Sequence, residues 1–240
     1  MKVIYTKNYD EMSKESAKMV IDQIKRKKDS ILGLATGSTP VGLYKCLIDA
    51  HVNGLDFSEV KTFNLDEYIG LTPDNPQSYN YFMYDNLLNH INVKKENIRI
   101  PQGNKDPEKE VVDYENDVRS SERVDIQLLG IGPDGHIAFN EPDEELNYST
   151  SVVDLEESTI KANARFFKSE DEVPTKAISM GMGTIFNAEK IILLISGKNK
   201  EEATNYLVNK DKISTKVPVS LLKLHHDVTV FLDEESVKIR

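Results

Sequence analysis

Residues 31–40, Ile-Leu-Gly-Leu-Ala-Thr-Gly-Ser-Thr-Pro, join a short apolar run to a small polar loop that ends in proline. The run at 31–35 predicts a buried strand, because it is almost continuously apolar. Pro40 suits the first position of a helix, since its fixed φ is helical and its missing N–H would have no partner there. A strand that passes through a tight loop into a helix is the repeating unit of α/β folds.

The same alternation runs along the whole chain. Further strands are predicted at 61–65, 124–130, 190–196 and 228–232, and segments of helical periodicity lie at 9–28, 40–52, 78–90, 107–121 and 198–209. The pattern predicts the α/β class: a three-layer, open, mostly parallel, Rossmann-like sheet with helices on both faces, in a single domain over 1–240. Ligands bind such sheets beyond the carboxyl ends of the strands, so the loops there are where a site is expected.

Composition limits the partners of this chain. Its 240 residues hold 30 Lys and Arg against 40 Asp and Glu, a net charge of −10, which argues against a nucleic acid or a membrane surface. The single cysteine, Cys46, excludes an intrachain disulfide framework. The longest apolar stretch, 191–195, is too short to cross a bilayer, and the N-terminus lacks a signal-peptide run. We therefore expect a cytoplasmic protein with a small-molecule partner.

The first candidate loop contains Gly37, Ser38 and Thr39, directly before Pro40. Backbone N–H groups and hydroxyls at a helix N-terminus form a site for an anion, most often a phosphate. The loop is not a Walker A motif, because no Gly-Lys-Ser/Thr follows. A plain strand-to-helix turn with hydroxyl caps is the alternative.

The second candidate loop places Asp66 and Glu67 at the end of the strand predicted at 61–65. Neighbouring side chains at a strand end point in different directions, so one carboxylate can face a pocket while the other faces the protein. Asp66 could serve there as a general base whose proton affinity is raised by partial desolvation. An acidic loop that caps the next element is the alternative.

The third candidate loop, 129–142, imitates a dinucleotide-binding motif. Its glycines at 130, 132 and 135 have the required spacing. A dinucleotide motif must open a long helix, however, and Asn140 and Pro142 would end one within two turns. Nucleotide binding is therefore not expected here.

The same loop brings Asp134, His136 and Glu141 close together in sequence. A histidine between two carboxylates can be oriented so that it carries protons near neutral pH. A surface histidine in an acidic turn is the alternative. One histidine and two carboxylates at irregular spacing make a weak metal site, so no metal is expected.

Taken together, these motifs resemble the glucosamine-6-phosphate deaminase family. The matching segments are 35–40, 64–70, 135–142 and 163–167, which fall in order along nearly the whole chain. The resemblance implies conversion of glucosamine 6-phosphate into fructose 6-phosphate and ammonia, in amino-sugar catabolism. Because the reaction has no redox step, no cofactor is expected.

The resemblance also implies a role for each site residue. Asp66 matches the base that moves a proton between C2 and C1 of the sugar. His136 matches the group that opens the pyranose ring, with Asp134 and Glu141 as its partners.

The phosphate-binding residues follow from the same resemblance. Arg165 and Lys200 match the cationic contacts to the substrate phosphate, beside the backbone of Gly37, Ser38 and Thr39. An arginine suits this role because it binds a phosphate through two parallel hydrogen bonds, while a lysine acts as a point charge.

Two departures from the long, hexameric members of the family predict a short, non-allosteric form. Residues 144–151 begin with two glutamates, where an activator site for a phosphorylated effector would need basic residues. The chain also ends soon after its last predicted strand. We therefore expect a monomer. The resemblance also implies a lid at 143–173, where residues 156–167 have a helical pattern.

Two related activities remain as alternatives. A 6-phosphogluconolactonase-type ester hydrolase shares a Gly-x-x-Asp-Gly-His loop, but the Phe-Asn-Glu-Pro run at 139–142 and the Asp-Glu-Tyr run at 66–68 do not fit it. A non-catalytic sugar-phosphate sensor would keep the phosphate loop and lose the proton-handling groups, which this chain retains.

Overall fold

A computed structural model describes residues 1–164, 167, 169 and 172–236. The strands are β1 (Lys2–Thr6), β2 (Ile31–Leu34), β3 (Lys61–Asn64), β4 (Asp66–Tyr68), β5 (Ile98–Arg99), β6 (Ile126–Leu129), β7 (Ser151–Asp154), β8 (Lys176–Ser179), β9 (Lys190–Ile195) and β10 (Val228–Asp233). The α-helices are α1 (Tyr9–Arg26), α2 (Val41–Val52), α3 (Tyr79–Asn86), α4 (Pro107–Ser120), α5 (Glu157–Asn163), α6 (Met182–Phe186) and α7 (Glu201–Asn209).

Seven strands form one sheet in the order β1-β10-β9-β6-β2-β3-β5, and each neighbouring pair is parallel. The five strands predicted from apolar runs make up its centre, which confirms the predicted α/β sheet. The edge strands β1 and β5 were not predicted. The segment of β1 is short and partly exposed, and β5 has only two residues, so neither carries a strong apolar signal.

Helices cover both faces of this sheet, as the three-layer prediction requires. Along β9, Ile192 and Leu194 pack with α1, α2 and α3 on one face. Leu193 and Ile195 pack with α4, α6 and α7 on the other face. Because successive strand side chains point to opposite faces, one continuous apolar run supplies both cores.

A second, three-stranded sheet has the order β4-β8-β7 and is antiparallel. A single residue, Leu65, separates β3 from the first strand of this sheet, and its backbone hydrogen-bonds to both sheets. The N–H of Leu65 donates to Leu34 of the main sheet, and its carbonyl accepts from Met180 after β8. The sequence did not predict this sheet, because its strands have three or four residues and pair over long distances in the chain.

The predicted helices are all present in the described residues, with small differences at their ends. Pro40 directly precedes α2 rather than opening it, although its backbone is helical and its carbonyl accepts from Tyr44. The segment at 198–200 is a separate 3₁₀ turn before α7. Within the described part of the chain, no helix combines the length and apolar character needed to cross a membrane.

Glu115 on α4 ties the second sheet to the body of the protein. Its carboxylate accepts hydrogen bonds from the Thr150 backbone and hydroxyl, just before β7, and from the Thr184 hydroxyl on α6. Arg119 donates to the same carboxylate from the next turn of α4. The side chain is 9% exposed, so these donors have little water to replace it.

Glu115→Ala should therefore lower the free energy of unfolding by about 1–3 kcal/mol, because several buried donors lose their acceptor. Glu108→Ala, at an exposed position of the same helix, is the matched control and should stay within about 0.5 kcal/mol of the wild type. Urea denaturation followed by circular dichroism measures both variants. Equal stability of the two would show that Glu115 does not hold the sheets together.

Candidate active site

A cavity of about 570 Å³ opens at the carboxyl edge of the main sheet. Four loops line it, and each follows the end of a different strand: β2, β3, β6 or β9. The predicted residues among its lining are Gly37, Ser38, Thr39, Asp66, Asp134, His136 and Lys200. Parallel strands present their carboxyl ends at one edge, so residues that are distant in sequence meet there.

The loop after β2 has free backbone donors. Gly37 has φ +92°, a left-handed conformation that favours glycine, and it turns the chain toward α2. Within the described part of the chain, the N–H groups of Gly37, Ser38 and Thr39 donate to no other group. They lie just before a helix N-terminus, where the helix dipole favours negative charge. The loop is therefore suited to bind an anion.

Asp66 is the first residue of β4 and is 6% exposed. Burial, together with the smaller effect of the neighbouring charge of Glu67, raises the pKa of Asp66 to about 8. A buried carboxylate with few partners holds a proton more tightly than one in water. Since it also lines the cavity, Asp66 has the position and proton affinity of a general base.

Glu67 points away from the cavity lining and holds the N-terminus of α3. Its carboxylate accepts from the backbone N–H groups of Tyr68 and Tyr79 at 2.9 Å and of Asn80 at 2.8 Å. Burial raises the pKa of Glu67 to about 7, and these three donors oppose that rise. The carboxylate of Asp66 thus faces the cavity, and that of the adjacent Glu67 faces the protein, as the strand-end geometry predicts.

Aromatic rings form one wall of the cavity beside Asp66. The ring of Tyr79 stacks on that of Phe139 with an interplanar angle of 8°, and both line the cavity. The hydroxyls of Tyr79 and Tyr68 lie 3.2 Å apart. An apolar wall of this kind excludes water from one side of Asp66, which is the cause of its raised pKa.

Asp134 and His136 lie together in the loop after β6. Nδ1 of His136 is 2.8 Å from Oδ1 of Asp134, although the ring is not aligned for a hydrogen bond. The same oxygen accepts from the His136 backbone N–H at 3.1 Å. Burial alone would raise the pKa of Asp134, but the contacts with His136 outweigh it and hold that pKa below its usual value. Asp134 is thus a carboxylate held ionised beside the imidazole.

Glycine at position 132 allows the imidazole to lie close to the loop backbone. A Cβ at Gly132 would fall 2.1 Å from Cε1 of His136. The Gly132 N–H donates to the His136 carbonyl, and the Gly135 N–H donates to the Gly132 carbonyl. No helix opens at 137–142, so the glycine spacing serves a tight loop and not a dinucleotide.

Glu141 is outside the set of residues that line the cavity. Its carboxylate accepts from the Thr159 hydroxyl on α5 and, at 3.1 Å, from the Glu156 backbone N–H. Burial raises the pKa of Glu141, opposed by the Thr159 hydrogen bond and the nearby His136. The structure thus turns Glu141 toward α5, and a direct partnership with His136 stays a prediction.

The two predicted phosphate-binding cations are Arg165 and Lys200. Arg165 lies outside the described residues. Lys200 ends the 3₁₀ turn after β9 and lines the cavity. Among the described residues, no three His, Cys, Asp or Glu side chains are grouped closely enough to hold a metal ion.

The sequence did not identify several residues that line the cavity, namely Tyr79, Phe139, Thr159, Ser196 and Asn199. Tyr79 lies in an aromatic-rich helix, where core or rim packing is the usual role of such a residue. Ser196 and Asn199 directly follow a predicted strand, and that position alone could have marked them.

The raised pKa of Asp66 can be tested by carbon-13 NMR of its carboxyl group. We expect a titration midpoint near pH 8, with Asp56 as an internal reference, because hydrogen bonds from Ser58 and Asn92 lower the pKa of Asp56 to about 2. Glu67→Gln removes the neighbouring charge and should move the Asp66 midpoint to lower pH. A midpoint near the ordinary 4 in the wild type would contradict this assignment of the site.

Comparison with known sequences identifies close relatives. A protein named glucosamine-6-phosphate deaminase from Thermoanaerobacter sp. (strain X514) is 57% identical over 241 residues, covering 100% of this chain and 95% of the relative. One of the same name from Halothermothrix orenii is 53% identical and is covered completely, as is this chain.

Solved structures agree with the sequence matches. A structure described as a monomeric glucosamine-6-phosphate deaminase superposes with a TM-score of 0.95 at 48% identity, covering 98% of each chain. A 6-phosphogluconolactonase from Leishmania guyanensis, with a TM-score of 0.77 at 22% identity over 98% of this chain and 97% of its own, shares the fold. The family described as glucosamine-6-phosphate isomerases/6-phosphogluconolactonase matches residues 6–231, and the chain belongs to it.

Proposed function

We propose that this protein converts glucosamine 6-phosphate and water into fructose 6-phosphate and ammonia, as a glucosamine-6-phosphate deaminase of amino-sugar catabolism. One observation carries the proposal: a buried carboxylate, an imidazole and an anion-binding loop line the same cavity. The names of the full-length relatives support the same activity.

The substrate phosphate binds at the loop of Gly37, Ser38 and Thr39. Its free N–H groups supply hydrogen bonds, and the charge of Lys200, in the same cavity, adds attraction. Arg165 is the second cation of this site. Local donors of this kind allow a protein with a net charge of −10 to hold an anion. Binding energy from the phosphate also positions the reacting carbons.

His136 opens the pyranose ring. Ring opening moves a proton from the C1 hydroxyl to the ring oxygen, and imidazole can both accept and donate a proton near neutral pH. Asp134, in contact with Nδ1, fixes the orientation of the ring. The charge of Glu141, held by Thr159, supports the protonated imidazole from a greater distance.

Asp66 then transfers a proton between neighbouring carbons of the open sugar. As a carboxylate it takes the proton from C2 while the substrate's ammonium group gives a proton to the C1 oxygen, which leaves a neutral enolamine, and as a carboxylic acid Asp66 returns the C2 proton to C1. Water adds to the resulting C2 imine, and ammonia leaves. A pKa of about 8 suits both halves of this transfer, because the residue must bind the proton and release it again. The oxidation of C2 is balanced by the reduction of C1 within the same sugar, so no cofactor is needed.

The protein acts as a monomer without an activator site, and its lid lies within 143–173, of which residues 165, 166, 168, 170 and 171 are outside the described part of the chain. The monomeric state is supported by the description of the structural neighbour at 48% identity. The lid is supported by α5, whose Thr159 lines the cavity and donates to Glu141 beneath it. Hyperbolic kinetics and a monomeric mass in solution are the expected results, and sigmoidal kinetics would contradict the proposal.

The activity is tested by ammonia release from glucosamine 6-phosphate without an added cofactor. We expect release with the wild-type protein and no hydrolysis of 6-phosphogluconolactone. Lactone hydrolysis without ammonia release would instead indicate the hydrolase, and binding without turnover would indicate a sensor.

Asp66→Asn should abolish exchange of the C2 hydrogen with solvent and lower kcat by about 10²–10⁴-fold, while substrate binding is retained. Asp85→Asn, on the exposed side of α3, is the matched control and should keep the wild-type rate. Exchange into deuterated water, followed by proton NMR, measures the transfer directly. Near-normal turnover of Asp66→Asn would show that another residue is the base.

His136→Gln should lose ring opening rather than proton transfer at C2. We therefore expect a reduced rate with the ring form of the substrate, and a larger residual activity when the open-chain form is supplied by fast mutarotation at higher temperature. Equal losses with both forms would contradict the separate roles of His136 and Asp66.

A further inference from the structure

The hydroxyl of Tyr9 connects the anion-binding loop to the first turn of α2. Tyr9 is the first residue of α1, and its hydroxyl donates to the Ser38 carbonyl at 3.0 Å. The same oxygen accepts from the Gly42 backbone N–H at 2.7 Å. Ser38 lies in the loop and Gly42 in the first turn of α2, so one side chain from a different helix connects both.

The close approach of α1 to α2 at this point depends on the absence of a side chain at Gly42. A Cβ there would lie 2.9 Å from Cε1 of Tyr9 and 2.2 Å from Oγ of Ser13. The first turn of α2 is therefore held directly against α1, which restricts the orientation of the N–H groups that precede it.

Tyr9 lies behind the loop rather than in the substrate cavity. It is not among the residues that line the larger cavity, and instead borders a smaller one of about 390 Å³ with Ser38, Thr39 and Ser196. A phenol has one proton to donate, and that of Tyr9 is used by the Ser38 carbonyl. Its hydroxyl thus has no proton left for a ligand.

We propose that Tyr9 is a positioning residue that fixes the loop of Gly37, Ser38 and Thr39 in its phosphate-binding conformation. The inference rests on the proposed function, since it assigns that loop to the substrate phosphate. Without the hydroxyl, the Ser38 carbonyl and the Gly42 N–H lose their common partner, and the loop must pay an ordering cost when phosphate binds. Affinity for the phosphate falls, whereas proton transfer at C1 and C2, which Asp66 performs, continues.

Tyr9→Phe tests this role because the ring is retained and only the hydroxyl is lost. We expect KM for glucosamine 6-phosphate to rise about 3- to 10-fold, because the loop must be ordered on binding without its two hydrogen bonds to Tyr9, with kcat within about twofold of the wild type. Tyr5→Phe is the matched control, since Tyr5 lies on the edge strand β1 and is 52% exposed. A general structural defect would lower kcat and the unfolding temperature of Tyr9→Phe; that result, or an unchanged KM, would overturn the proposal.

Binding of inorganic phosphate provides a second measurement that needs no turnover. Calorimetry should show a Kd for inorganic phosphate about 3- to 10-fold higher for Tyr9→Phe than for the wild type. Amide NMR of the wild type should place the bound phosphate at Gly37, Ser38 and Thr39. If the wild type binds phosphate there but releases no ammonia, the proposed function fails while the comparison of Kd values still decides the role of Tyr9. Equal Kd values for the two proteins, or phosphate shifts confined to other amides, would overturn the role of Tyr9 itself.

Discussion

The geometry of the site depends on Leu65, because its backbone hydrogen-bonds to both sheets. Its N–H donates to Leu34 of the main sheet, and its carbonyl accepts from Met180 beside the antiparallel sheet. The two peptide groups on either side of its Cα are thus both held, which leaves the backbone there little rotational freedom. Asp66 follows immediately, so its carboxyl group is held at the point where the two sheets meet, buried and facing the cavity. A loop residue free to move into water would not keep a pKa near 8.

Glu67 shows how a second acid can lie beside Asp66 without facing the cavity. Strand geometry turns it to the other face, where three backbone donors at the start of α3 hold its carboxylate. The same hydrogen bonds fix Tyr79, whose ring closes one wall of the cavity. One side chain therefore adds negative charge near Asp66 and also excludes water from it, and both effects raise the proton affinity of the base.

Local sequence patterns predicted the central strands, their helices and the residues at their carboxyl ends, since burial on both faces makes such strands continuously apolar. The second sheet could not be predicted, because β4, β7 and β8 are too short for a periodic signal and their pairing is set by tertiary contacts. Asp66 and His136 were predicted because they follow strands within distinctive motifs. Tyr9 could not be, since its partners lie 29 and 33 residues away and nothing local marks its hydroxyl.

The relatives at about 20% identity explain why these loops, rather than the sheet, set the chemistry. Lactonases of this family share the whole architecture, so the sheet alone is compatible with more than one reaction. The proposed proton transfer between two carbons needs a desolvated base that holds the proton between its removal and its return. The junction at Leu65, the buried Asp66 and the wall of Tyr79 and Phe139 together provide such an environment.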